Sequence, residues 1–451
     1  MNGNLMIKSI VENDMCIGCG MCAAQCKSDA IKMKMNKFGF YTANVDDSYA
    51  INEDIINVCP FNPNPNDKLK TENEIAKIFL NQANKQHIKI GRYINTYAGY
   101  SNKNRLTSSS GGIATYTLTE LMRRGDIQHV ISVKAGSNSV HYKYTVSSSV
   151  DELASAAKTR YYPVTLADAL KIAMKLDGKI AIVGVACFIK AIRLAQVHDP
   201  IFNDKIGFLI GIICGGVKSA FFSEYLSSKS GVSAYEFAQP EFRIKDISST
   251  ASDYSYGCLD KDKNQRTIKM RSVGDMWGTG LFKANACDYC DDVTTELADL
   301  SLGDAWLEPY IKDGRGTNVI VSRSLLADEI IKTGIKNGDL VIDELSEQQF
   351  LSSQQGSFNH RHDGLGFRIK SGKTISSIIP EKRFDDVKLT PLPKIVQILR
   401  MRTREKSLIS WLNTKNAKAF DSEMELSLFF LRFFTKINHY QRAVIRRIKG
   451  F

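Results

Sequence analysis

Between residues 91 and 390, short runs of β-branched and aliphatic residues alternate with longer stretches whose apolar positions recur every three to four residues. The runs at 130–133, 180–185, 208–213, 300–302 and 319–321 predict strands. The stretches at 113–124, 165–175, 188–197, 220–229 and 325–336 predict helices. Such alternation argues for an α/β domain with a parallel or mixed sheet. Two regions lie outside the pattern. Residues 1–68 are rich in cysteine and turn residues, end in Asn62-Pro-Asn-Pro-Asn66, and predict a small α+β ferredoxin-like domain. Residues 391–451 predict a helical tail with no place in the sheet. Between the first region and the main domain, Ile75, Ile78 and Phe79 predict a connecting helix over 72–86, within a linker at 69–90.

Composition narrows the class. With 451 residues, 43% hydrophobic and 24% charged, the chain is an ordinary globular protein, not a disordered or low-complexity one. The longest apolar run, 206–217, holds four glycines and is shorter than the about 20 residues of a membrane span. The N-terminus lacks the pattern of a signal peptide. Ten cysteines without an export signal predict a cytoplasmic protein whose thiols serve metals or catalysis. The net charge of +12 is concentrated in the tail, where 394–451 carry 13 Lys/Arg against 4 Asp/Glu.

The strongest chemical signal is Cys16-Ile-Gly-Cys19-Gly-Met-Cys22-Ala-Ala-Gln-Cys26. This C-x₂-C-x₂-C-x₃-C run has the iron–sulfur spacing of bacterial ferredoxins. Two-residue gaps let one tight loop aim three thiolates at a four-iron cube, and Gly18 and Gly20 allow the turns. In two-cluster ferredoxins the fourth cysteine of a run serves the other cluster. The second half here keeps only Cys59-Pro60, so the matched set is Cys16, Cys19, Cys22 and Cys59; a local set closed by Cys26 is the alternative. A second group is dispersed. Cys187 and Cys214 follow predicted strands, and Cys287-x₂-Cys290 precedes another. Thiols at strand ends converge on one edge of an α/β sheet, and these four suit a second [4Fe–4S] cluster. Cys258, in a polar stretch, is read as a spare thiol.

Three weaker features remain. Ser108-Ser109-Ser110-Gly111-Gly112 opens a predicted helix, and its N–H groups could receive a phosphate or simply cap the helix. Arg160-Tyr161 and Arg243 could contact an anionic, aromatic cofactor. His360-Arg-His362 pairs two imidazoles but reads weakly as a metal site.

In their order these pieces resemble the coenzyme F420 hydrogenase/dehydrogenase beta-subunit family, over residues 10–325. The resemblance rests on the ferredoxin run, 108–115, 160–163, Ile182-Val-Gly-Val-Ala-Cys187, Gly211-Ile-Ile-Cys214-Gly-Gly, Phe242-Arg243 and Cys287-x₂-Cys290 with Ala298-Asp-Leu-Ser-Leu-Gly-Asp304. It implies an iron–sulfur flavoprotein: FAD in the α/β domain, contacted by Ser109, Ser110, Gly111, Gly112, Arg160, Tyr161 and Arg243, with clusters nearby. It also implies electron exchange with ferredoxin or another redox protein and with a small-molecule substrate. Two departures stand out. Gly184-Val-Ala-Cys187 replaces the frequent Gly-Thr-Pro-Cys, and the second ferredoxin run is missing. Bacterial members of this type often accompany cell-surface polysaccharide genes, so F420 itself is not assumed as substrate.

The expected function is an iron–sulfur, FAD-dependent oxidoreductase, with Asp304 the nearest candidate for proton chemistry. The alternative is a non-catalytic electron-transfer or adaptor subunit docked through its tail. In that tail, 3–4-residue spacing from Leu426 to Ile448 predicts a basic amphipathic helix. Its apolar face is expected to meet either an anionic membrane surface or protein; nucleic acid is not expected, because the apolar face is too continuous.

Overall fold

The computed structural model describes residues 3–136, 141–372 and 378–448, with side chains to 444. Eight strands form the central sheet: β1 (Asn95–Ser101), β2 (His129–Ala135), β3 (Tyr142–Ser147), β4 (Ile180–Val185), β5 (Ile206–Ile212), β6 (Leu300–Asp304), β7 (Asn318–Ser322) and β8 (Leu340–Glu344). Their order is β8-β1-β7-β6-β5-β4-β2-β3. The middle, β2-β4-β5-β6, is parallel, and the outer pairings are antiparallel. The apolar runs of β4, β5, β6 and β7 are buried almost throughout, as expected of strands covered on both faces.

Five helices flank the sheet: α1 (Ile113–Arg124), α2 (Ala167–Ala173), α3 (Ala186–His198), α4 (Phe221–Lys229) and α5 (Leu325–Lys336). A three-stranded antiparallel sheet, Ala238–Ile244, Ser255–Leu259 and Gln265–Lys269, lies between β5 and β6 in the chain. The N-terminal segment comprises helix Gly3–Glu12, the cysteine loop, helix Met21–Gln25 and the hairpin Ile31–Met35/Tyr41–Val45. It shares one apolar cluster with the main sheet, in which Met21, Ala23 and Val58 join Leu166, Ile189 and Ile192.

The expected connecting helix is shorter than its pattern. It runs Glu72–Phe79, held by a Thr71/Glu74 capping box, and stops where Leu80 and Ala83 turn into the core. Cys258 also departs from expectation. It is 2% exposed in a strand and faces Ser227 and Ser230.

The tail folds as a hairpin of α6 (Pro391–Thr414) and α7 (Ala417–Ile448). Among the described residues, no helix is long and apolar enough to cross a membrane. The hairpin docks on α4 through Leu408, Trp411, Phe420, Met424, Tyr225 and Phe282. Polar contacts fix the register: Trp411 Nε1 donates to Glu224 (2.7 Å), Lys415 pairs with Glu224 (2.6 Å), and Lys229 with Asp421 (2.7 Å). Trp411 is fully buried. Trp411→Ala is expected to destabilise the protein by about 3–5 kcal/mol, through lost transfer energy and a cavity. Denaturant unfolding of the full chain checks this; a change within about 0.5 kcal/mol, the range of surface sites, would show that the hairpin is not part of the folded core.

Candidate functional site

Gly18 and Gly20 have φ of +77° and +80°, a region open to glycine at little cost. A Cβ on Gly18 would stand 2.6 Å from the Tyr41 carbonyl oxygen, and one on Gly20 would stand 2.1 Å from Thr165 Oγ1. The loop can therefore close only with glycine, and closing it gathers Cys16, Cys19 and Cys22. Cys59 joins them from the end of the 3₁₀ turn Glu53–Val58. Burial pushes all four thiols up, Cys19 to about 12. Proximity to one another adds to the effect on Cys19, Cys22 and Cys59, with Cys22 feeling Cys19, Cys16 and Cys59. Backbone N–H groups oppose it: Ala43 and Gly18 donate to Cys16, Met21 and Gly20 to Cys19, Ala23 to Cys22, and Phe61 to Cys59. Cys26 is buried in the same apolar cluster as Cys19, and its Sγ lies 3.4 Å from Ser28 Oγ.

The second gathering sits at the carboxyl ends of parallel β4 and β5, where open α/β sheets place their ligands. Cys187 lies in the first turn of α3, Cys214 just beyond β5, and Cys287 and Cys290 on the 3₁₀ turn Asn285–Tyr289 and its end. Burial pushes Cys187 well up, followed by the influence of Cys287, Cys290, Cys214 and, from the first group, Cys19. Gly216 N–H donates to Cys214 Sγ (3.3 Å) and Val217 N–H to Cys287 Sγ (3.2 Å). Buried Arg361 donates from Nη1 to Cys290 Sγ (3.3 Å) and to the Asp292 carbonyl (2.7 Å), and it also faces Cys214 and Cys287.

Among the described residues, no three His, Cys, Asp or Glu side chains are placed to hold a single metal ion. His360 and His362 do not form a metal site either. His360 Nε2 is 3.0 Å from Lys283 Nζ and 3.7 Å from Asp288, whereas His362 stacks on Phe384 at 3.7 Å.

The Ser/Gly loop is packed closely against its own protein neighbours. Ile113 N–H, at the start of α1, donates to Asn318 Oδ1 (3.3 Å). A Cβ on Gly111 would stand 2.5 Å from the Gly99 carbonyl oxygen and 2.8 Å from Asn318 N, and one on Gly112 would stand 2.7 Å from Asn104. These glycines are needed for the loop's packing on β1 and β7, and the first helical N–H is turned to a protein acceptor. Ser109 Oγ accepts from Thr159 N–H (2.8 Å), and Ser110 Oγ donates to the Thr317 carbonyl (3.1 Å).

Cations do surround the loop. Lys245 Nζ donates to the carbonyls of Arg105 (2.6 Å) and Ser110 (2.8 Å). Burial, then the like charges of Arg243, Arg105 and Lys158, push Lys245 down to about 7, opposed by Asp304. Arg105 pairs with Asp313 (2.9 Å), Lys158 with Glu241 (2.8 Å) and Arg243 with Asp304 (2.5 Å). Among the described residues, Lys245 and Arg160 have no such carboxylate partner. Arg160 Nε and Ser108 Oγ are buried without a hydrogen-bond partner, and the Arg160 guanidinium lies 4.8 Å above the Tyr142 ring. This orphaned polarity is chemically suited to a phosphate-bearing ligand.

Tyr161 neighbours both the cation cluster, through Arg243, and the second thiol group, through Cys214. Burial pushes its hydroxyl far up; Tyr254, Arg243, Asp304 and Cys214 are its titratable neighbours. Its ring meets Trp277 at 4.7 Å and Phe242 at 5.7 Å. Lys158, Lys245, Asn318 and Arg361 were not singled out from sequence. Lys245 stands just past the strand Ala238–Ile244 and two residues from Arg243, and that short spacing is the signal that points to it.

Comparison with known proteins decides the family. Residues 96–171 match the N-terminal model, and residues 177–348 the C-terminal model, of the coenzyme F420 hydrogenase/dehydrogenase beta subunit. Together they cover more than half of the chain. The chain belongs to the coenzyme F420 hydrogenase/dehydrogenase beta-subunit family. Residues 10–32 match a 4Fe–4S binding domain, which makes this family member an iron–sulfur protein of an oxidoreductase subunit class. It is 21% identical over 326 residues to an F(420)H(2) dehydrogenase subunit from Methanosarcina mazei, covering 68% of this chain and 81% of that one. It also matches a chain of the F420-reducing [NiFe] hydrogenase complex from Methanosarcina barkeri at 21% identity and a TM-score of 0.45, covering 62% of this chain and 95% of that one.

Lys245 gives the pocket a pH signature. Its folded-state pKa of about 7 lies below the ordinary lysine value of 10.5. The fold therefore carries the full cost of the buried charge below about pH 7 and sheds it as pH rises toward the unfolded value. Wild type should gain stability relative to Lys245→Met between about pH 6.5 and 9 in urea unfolding. A difference that is flat with pH would show that Lys245 titrates normally.

Proposed function

We propose that the chain is an iron–sulfur flavoprotein subunit that relays electrons between a redox protein, such as ferredoxin, and a small substrate or partner subunit. Cys16, Cys19, Cys22 and Cys59 would hold one [4Fe–4S] cluster, and Cys187, Cys214, Cys287 and Cys290 a second. FAD would place its phosphates among Lys245, Arg160 and Ser108. Its ring would lie toward Tyr161, with Arg243 at the border of the two regions. The observation that carries this reading is the continuity of the three regions. Cys19 and Cys187 are electrostatic neighbours, and Tyr161 is a neighbour of both Cys214 and Arg243.

The residues present fit these groups. Buried thiols bind metal as thiolates, and backbone N–H groups already point at both sets. The cationic pocket offers two guanidinium or ammonium groups without carboxylate partners. When bound, FAD converts one-electron flow into two-electron chemistry. The chain supplies the rest: Lys245 and Arg160 bind and orient phosphate, Arg243 fixes Asp304, and Tyr161 and Trp277 exclude water between the pocket and the thiols.

Two outcomes test the assignment. Anaerobically prepared protein should hold about eight irons per chain, from two four-iron clusters. Cys59→Ser should remove about half of that iron, whereas Cys26→Ser should leave it largely in place; the reverse pattern would identify the local set. Lys245→Met/Arg160→Gln should lower flavin occupancy while retaining iron, and unchanged flavin would move the phosphate site elsewhere. Arg361 is expected to tune the second cluster, because a buried positive charge hydrogen-bonded to a ligand sulfur raises its reduction potential. Arg361→Gln should shift the midpoint of one of two cluster signals to a more negative value in an electron paramagnetic resonance redox titration. An unmoved midpoint would show that the guanidinium serves packing alone.

A further inference from the structure

Helix α7 is apolar on two opposite faces. Its inner face, with Phe420, Met424, Leu428 and Leu431, is buried on the body of the protein. Its outer face carries Leu426, Phe429, Phe430, Phe433, Ile437 and Tyr440, all exposed, with Phe429 at 58% and Tyr440 at 64%. At about 100° per residue these side chains form a stripe roughly 100° wide, opposite the packed face. The stripe continues to exposed Val444, a length of about 27 Å at 1.5 Å per residue. It is far longer than the scattered single apolar residues ordinary on a surface. Self-packing therefore accounts for one face of the helix and leaves the other without a partner.

The charge around the stripe specifies what covers it. From Leu426 to Phe451 the chain has six Lys/Arg and no Asp/Glu. Arg432 and Lys436 are exposed beside the aromatic ridge; the side chains of Arg446, Arg447 and Lys449 lie outside the described residues. On the neighbouring α6, Arg402 and Lys406 line a shallow groove with Leu399, Ile409, Leu426 and Phe430. Glu405 is the groove's one carboxylate. A partner for this face must be anionic along its length and apolar immediately beneath. An anionic lipid surface has that layered chemistry; a protein partner would need acidic side chains aligned on both sides of an apolar furrow.

We propose that the outer face of α7, with Arg402 and Lys406 of α6, is a peripheral docking surface for an anionic phospholipid membrane. The helix would lie in the interface plane with its aromatic ridge below the headgroups and its cations among them. The inference is independent of the cofactor assignments. It places the protein on a membrane without requiring any segment to cross it.

The experiment is co-sedimentation of the full chain with phosphatidylcholine vesicles and with vesicles containing phosphatidylglycerol, at low and high salt. Wild type should bind the anionic vesicles and lose binding at high salt. Phe429→Glu/Phe433→Glu places charges on the ridge at exposed positions. It should abolish binding while keeping wild-type iron content and thermal midpoint. Arg432→Gln/Lys436→Gln should weaken binding by more than about tenfold, since each cation at an anionic surface is worth about fivefold. Failure of wild type to bind anionic vesicles overturns the proposal, as does undiminished binding by both variants. Light scattering supplies the remaining outcome. A wild-type dimer that Phe429→Glu/Phe433→Glu dissociates, without vesicle binding, would overturn the lipid assignment and show the stripe to be a contact between copies.

Discussion

Cys19 and Cys187 stand near enough across the junction of the N-terminal segment and the sheet to feel each other's charge, and the fold is organised around that proximity. Both thiols are in dense apolar surroundings, beside Tyr144. Uncompensated thiolate charge at such a place is costly. The chain answers with backbone N–H groups from tight glycine turns and strand ends, and with a few buried cations. The same junction is sealed by a main-chain bond from Leu166 N–H to the Cys19 carbonyl (2.9 Å), so the cysteine loop and the start of α2 are fixed together.

The cations around the second thiol group are not free charges. Asp288, next to Cys287, is clamped by Lys283 (2.5 Å) and Arg404 (2.9 Å), and its carbonyl accepts from Arg368 (2.7 Å). Arg383 pairs with Glu296 (2.6 Å), near Asp291 and Glu72, and Lys190 pairs with Glu72 (2.9 Å). Removing one member of such a buried set strands its partner, which costs far more than losing an exposed pair. Arg361 is the exception that matters chemically, since its guanidinium is directed at sulfur as well as at a carbonyl.

How much of this was legible in the sequence depends on the range of the interaction concerned. Strands β4, β5 and β7 and helices α1 and α5 carry continuous or periodic apolar patterns, and they were readable because burial on both faces, or on one stripe, is a local signature. Strands β1, β3 and β8 were not. Thr96, Tyr100 and Ser101 in β1, and Asp343 and Glu344 in β8, belong to outer strands whose polar residues hide the alternation. The cysteine run declared its chemistry through fixed spacing, and the proline after Cys59 is what singles that thiol out as a candidate. The Ser/Gly loop shows a limit of sequence reading. Glycine is required there, but by β1 and Asn318, and sequence alone cannot tell a close protein neighbour from a close ligand. Lys245, Lys158 and Arg361 act through tertiary contacts made across 71 to 140 residues, or through a single exposed-looking charge, and no local pattern marks them.

One apolar cluster contains Cys19 and Cys287, and Cys16, Cys22, Cys59 and Cys187 pack against its edge. If both groups hold clusters as proposed, iron at one would order side chains that also wall the other, so each cluster would stiffen the surroundings of its neighbour. The same sharing makes oxidative loss of iron from one group a threat to the shape of its neighbour. The protein's lifetime in air would then be set by whichever of the two is more accessible.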